Sequence, residues 1–187
     1  MREYIAQWGT VLLVISGTAV AEWNHEVSLE GRHHWQSPTN PSQTNGGLSA
    51  SWLSEFYTSW DEGRQSFTFK PFARLDQRDS ERTHWDIREA VWIYAGDAWE
   101  ARVGIDKVYW GVTEAYHLVD IINQSDMLEN PDGEQKLGQP MLKLSLEQDW
   151  GIVDAYLMPV FREREFAGRK GRLRPPLPVE TKLATYD

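Results

Sequence analysis

The sequence contains no cysteine, so disulfides, thiolate metal sites and cysteine nucleophiles are excluded. It has no apolar run approaching the ~20 residues that a membrane-spanning helix requires. Positive charge is scarce: 19 lysines and arginines stand against 28 aspartates and glutamates, giving a formal charge of −9. That balance argues against sequence-independent binding to nucleic acid, and no nucleic-acid partner is expected. A G-x-S-x-G nucleophile elbow is also missing, and the five histidines show no zinc-type spacing. No catalytic residue, metal or cofactor is therefore expected. If the chain meets a membrane interior, it must do so without helices.

Aromatic side chains are abundant instead. Ten tryptophans sit in a chain whose mean hydropathy is −0.56, so its apolar surface must be arranged in an unusual way. Arg2, the stretch VLLVI at 11–15 and the Ala19-Val20-Ala21 run form the basic, apolar and small-residue parts of an export signal. Residues 1–21 are expected to be a signal peptide, with residues 22–187 as the exported part.

Beyond residue 24 the dominant pattern repeats every two residues, which is the signature of strands with two unlike faces. In QSFTFKPFARLD (65–76), Phe67, Phe69, Pro71, Ala73 and Leu75 share one side, and Ser66, Thr68, Lys70, Phe72, Arg74 and Asp76 the other. WDIREAVWIY (85–94) sets Trp85, Ile87, Val91 and Ile93 against Asp86, Arg88 and Trp92, with Glu89 a misfit on the apolar side. WEARVGIDK (99–107) alternates cleanly, and further strands are expected at 24–36, 46–60, 138–148 and 152–162.

The connections alternate in length. Asp61-Glu62-Gly63, Gly96-Asp97-Ala98 and Asp149-Trp150-Gly151 have hairpin-turn chemistry, whereas 37–45, 77–83 and 108–137 are long and polar. All short turns would then lie at one end of the sheet and all long loops at the other, the layout of bacterial outer-membrane barrels. Trp60, Trp99 and Trp150 border the short turns, while Trp85 and Trp110, with Trp35, border the long loops. They are expected to form two aromatic girdles. Segments of this length match the about 9–11 residues of a tilted strand crossing a bilayer. The expected fold is all-β, an antiparallel up-and-down transmembrane β-barrel, present here as an N-terminal portion of about seven strands. Seven cannot close the usual even-numbered barrel, and the terminal ATYD is not an aromatic-ended strand. Closure by a homo-oligomer is the alternative.

In that barrel Arg74, Asp86, Arg88, Glu100, Arg102 and Asp106 would line a water-filled pore, because a dry core could not desolvate so many charges. Bases facing acids across it would make a transverse field. The stretch YWGVTEAYHLVDIINQSD (109–126) spaces Glu114, His117 and Asp120 three apart, on one side of a helix. With Asn123 and Asp126 they would form a constriction loop folded into the lumen, rather than a metal or catalytic site. Arg162 and Arg164 would extend the last strand towards an extracellular mouth completed by Arg172 and Arg174.

The succession REAVWIY, GDAWEARVGIDKVYWGVTEAYHLVDIINQSD, KLGQPML and LMPVFREREFAGRKGRLRPPL resembles a family of porin-like outer-membrane proteins of Gram-negative bacteria. The likeness covers residues 85–187 closely and the first half in pattern only. It implies a single-chain barrel considerably longer than this sequence. The expected partners are outer-membrane lipid, lipopolysaccharide and small hydrophilic solutes. The competing expectation is a secreted soluble β protein that binds carbohydrate or another ligand on its Trp-rich surface, through Trp85, Trp92 and Trp99.

Overall fold

The computed structural model describes residues 21–38, 40–109, 121–130 and 133–174. Seven strands, β1 (Ala21–His33), β2 (Gly46–Trp60), β3 (Gln65–Asp76), β4 (His84–Ala95), β5 (Trp99–Asp106), β6 (Gln139–Gln148) and β7 (Gly151–Leu157), pair in chain order. All six pairings are antiparallel. The result is one up-and-down sheet with β1 and β7 at its edges, not a closed barrel. The segment expected to be a signal peptide lies outside the described residues, apart from Ala21, which opens β1.

The short turns and long loops segregate to opposite ends as their residues dictate. Between β2 and β3, Asp61, Glu62 and Gly63 all take positive φ, a tight reversal that Asp and Gly tolerate well and Glu62 adopts at some steric cost. β7 is shorter than expected. It stops at Leu157 because Pro159, having no N–H, cannot continue the ladder, so Arg162 and Arg164 are not on a strand.

The register gives the sheet two unlike faces. Trp52, Phe67, Phe69, Ala73, Val103, Leu142 and Leu144 fall on one, and Ser51, Thr68, Lys70, Arg74, Arg102 and Lys143 on the other. In β4 the sequence alternation is corrected by a β-bulge. Lys70 pairs with Glu89 and the next residue, Pro71, pairs with Ile87, which leaves Arg88 as the extra residue. Glu89 therefore joins Asp86 and Arg88 on the charged face, and Val91 and Ile93 follow it there. Trp92 and Tyr94 move to the apolar face, where Trp92 stands opposite Phe67 and Val103.

This switch completes an aromatic band at the short-turn end of the apolar face. Trp23 packs on Phe56 at 5.2 Å and Phe56 faces Phe67 at 6.5 Å. Trp92 meets Tyr94 at 6.2 Å, and Tyr94 stacks on Trp99 at 4.9 Å. Trp60 belongs to the same end and Trp150 lies in the β6–β7 turn. At the loop end Trp85 is 77 % exposed on the apolar face, and Leu48 and Leu75 are exposed there too. Trp110 lies outside the described residues.

Gly104 is required where β5 passes β4. Its φ is +132° and a Cβ would overlap the Ala90 carbonyl oxygen. Val91 and Met141, its neighbours across the two pairings, are both buried on the charged face. The remaining buried apolar residues are Phe72 on that face and Leu128, Leu137 and Ala167 from the segments laid over it.

Candidate functional site

The charged face is neutralised locally. Arg102 donates to Glu100 on its own strand at 2.7 Å and lies 3.5 Å from Asp106. Lys70 sits 3.2 Å from Glu55 and 3.5 Å from Glu89, and Lys143 sits 3.5 Å from Asp154. Arg32 pairs with Glu30. Of the residues expected to line a pore, Arg102, Glu100 and Asp106 thus pair along one strand.

Two covering segments complete the pairing. Residues 121–130 lie on the loop-end half of the charged face. Arg88 donates to Asp126 there, both side chains being under 10 % exposed, and its guanidinium stands 4.2 Å from the Phe72 ring centroid. A desolvated cation–π contact of this kind contributes about 2 kcal/mol. The other oxygen of Asp126 accepts the N–H groups of Leu128 and Glu129, so one carboxylate forms a turn and docks it. Glu129 receives Arg74 through both oxygens, at 2.8 and 2.9 Å, and Arg74 also reaches Glu30 at 2.8 Å.

Asn123 is a clamp. Its amide nitrogen donates to the carbonyls of Asp106 and Leu137, and its oxygen accepts Val108 N–H, all at 2.8–2.9 Å. The two ends of the β5–β6 connection are thereby tied together by a side chain that is 2 % exposed and has both amide N–H groups engaged. Glu114, His117 and Asp120 lie outside the described residues.

The chain after β7 forms a strap across the loop end. Gln139 donates to the Val160 carbonyl, and Arg162 bonds Gly138 O at 2.9 Å and Asp86 at 2.5 Å. Arg164 reaches Gln124 at 2.9 Å. Farther along, Gly168 N–H donates to the buried Asp79 carboxylate, Gln43 donates to Gly171 O, and Arg172 donates to Gln36 O. The strap therefore runs from the β6 side of the sheet to the β1–β2 loop. Arg174 is half-buried at its end.

No protein-family model, curated protein or solved structure matches the chain. The functional reading rests on residues and geometry alone.

Several participants were not singled out from the sequence. Arg82, 2 % exposed in the β3–β4 loop, donates to Asp76 at 3.2 Å and to Leu128 O. Glu30, Asp79 and Glu129 likewise hold arginine or backbone. Glu30 had a legible signal, since Glu22, Asn24, Glu26, Ser28, Glu30 and Arg32 alternate through β1. Loop residues such as Arg82 and Asp79 have no periodicity to mark them.

Proposed function

We propose that the protein is an outer-membrane porin-like channel, its apolar face against lipid and its charged face towards a water-filled lumen. The observation that carries this reading is the register. Over seven strands it keeps large apolar side chains on one face that no described segment covers, with tryptophans at both ends, and ionic groups on the other. Lipid accepts the first arrangement, whereas a midplane lysine or arginine facing lipid would cost ~2–4 kcal/mol. The aromatic band from Trp23 to Trp99 stands where an interfacial girdle would lie, and Trp85 marks the opposite rim.

In this reading the unpaired edges of β1 and β7 join further strands to close the barrel, because an open edge in hydrocarbon leaves backbone groups unsatisfied. Residues 121–130, docked on Arg74 and Arg88, narrow the lumen, and small hydrophilic solutes pass without any chemical step. The bulge favours lipid over sugar as the partner of Trp92, which it seats among Phe67, Val103 and Tyr94 in a continuous apolar surface. Two measurements test the proposal: retention in the outer-membrane fraction after a carbonate wash, and ion conductance of the purified protein in a planar bilayer. Release by carbonate with no conductance would refute it.

A further inference from the structure

The cations of the strands and those of the loop end differ in one respect. Every described lysine and arginine on a strand has a carboxylate no farther than 3.5 Å away. Where the β1–β2 loop, the β3–β4 loop and the strap meet, this neutralisation is incomplete. A pocket there is lined by Arg32 and Arg82, which pair with Glu30 and Asp76, and by Arg78, Lys170 and Arg172, which have no carboxylate partner among the described residues.

The two acids that line the pocket, Asp76 and Asp79, are already engaged. Asp79 accepts the N–H groups of Gly168 and Glu81, and Asp76 accepts those of Arg78 and Asp79 as well as Arg82 Nε. Arg78 and Arg172 donate to backbone carbonyls, of Gly46 and Gln36. Among the described residues neither they nor Lys170 has a carboxylate partner. Arg82 is buried; its Nε is held by Asp76, and its Nη2 lacks a hydrogen-bond acceptor, lying 3.7 Å from Glu30. Two neighbours register the surplus of positive charge. Burial pushes the His34 imidazole below its ordinary range, and Arg172, Arg32 and His33 push it the same way. Burial also lowers Arg82, with Arg32 and Arg74 adding to the effect.

We infer that this pocket is a binding site for a phosphate group. Guanidinium donors from three separate segments converge on one concavity, and phosphate offers several strong acceptor oxygens to arginine forks. A chain of net charge −9 gathers three cations without a described carboxylate partner, Arg78, Lys170 and Arg172, around this pocket. Both a solute phosphate and the phosphates of a surface glycolipid carry the group. The pocket stands whether or not the sheet closes around a channel. Only a role in capturing anionic solutes for passage, or in anchoring to lipopolysaccharide, rests on the porin reading.

The test uses the full chain in detergent micelles, titrated calorimetrically with inorganic phosphate. A second arm uses phosphatidylcholine nanodiscs with and without diphosphoryl lipid A. Arg78→Gln combined with Arg172→Gln should weaken binding by about tenfold or more, the loss expected for charge-assisted hydrogen bonds. Arg164→Gln, a strap cation outside the pocket, should leave it unchanged. Arg78 is exposed in its loop, so Arg78→Gln alone keeps the test valid if the double variant misfolds. Binding of free phosphate identifies a solute site, and binding of lipid A alone identifies a lipid site; both sustain the inference. Binding of neither probe, or equal weakening by Arg164→Gln, overturns it. A protein that binds phosphate but is released by carbonate would refute the channel and leave the pocket standing.

Discussion

The middle of the charged face and its loop end carry the same residue types to different effect. On the strands, Arg74, Arg88 and Arg102 are each matched by acids at contact distance, so their fields cancel within a few ångströms. At the loop end Arg78, Lys170 and Arg172 have no such match among the described residues, and their field extends into the pocket they line. Local pairing stabilises segments, whereas unmatched charge attracts ligands. Arg74 and Arg88 thus serve to seat residues 121–130, and in the channel proposed above discrimination between solutes would fall to the loop-end pocket.

The largest effect that would break this comparison is at Asp126. Asp126→Ala leaves the buried Arg88 with only the longer contact to Asp86 at 3.6 Å, and one-sided removal of a buried pair costs up to about 3–5 kcal/mol. Limited proteolysis should then cut within 107–138 at protease levels that spare the wild type. Replacing both residues with apolar side chains should restore much of the resistance. If Asp126→Ala is as resistant as the wild type, the pairing does not hold the segment.

A smaller loss is expected at the clamp. Asn123→Ala strips partners from three backbone groups, each worth ~1–3 kcal/mol when left unsatisfied, although water can replace part of this. Hydrogen exchange should quicken at Val108 first. Unchanged protection there would remove Asn123 from the account.

The bulge explains how far the sequence could be read. The alternation of β3, β5 and β6 was legible because each keeps an unbroken period of two, and the turn residues placed the hairpins. β4 misled because one extra residue reverses every side chain beyond it. Two signals were present: Glu89 broke the apolar side, and Pro71 in the facing strand cannot donate to the ladder, which is where bulges are tolerated. The pairing of Arg88 with Asp126, or of Arg74 with Glu129, depends on how a long connection folds back. No local pattern encodes that. The pocket was still less visible, since it joins three segments distant in sequence.

At the small end, Arg102→Gln should cost under about 1 kcal/mol, because its partners lie on its own strand and the pair is partly solvated. Equilibrium urea unfolding would measure it; a loss several times larger would mean that Arg102 bears more than local pairing.

Acidification sharpens the description of the mouth. His34 titrates below its ordinary 6.5 because burial and the nearby Arg172, Arg32 and His33 oppose its protonation. A bound anion favours the imidazolium, so by reciprocity protonation must favour the anion. Binding of sulfate, whose charge is constant over this range, should tighten a few-fold (~2–5) from pH 8 to pH 5. His34→Gln should abolish that change. A pH dependence that survives in His34→Gln would assign it elsewhere.

The central claim is that lipid covers one face of the sheet and water the other. Since the chain has no cysteine, single-cysteine variants report cleanly on each position. The decisive measurement is labelling of the membrane-inserted protein with a water-confined thiol reagent and with a lipid-soluble one. Positions 67, 69, 92 and 103 should react with the lipid-soluble reagent only, and positions 51, 68, 102 and 143 with the water-confined reagent. Equal reaction of both sets with the water-confined reagent would contradict the account, and reversal at position 92 alone would contradict the bulge.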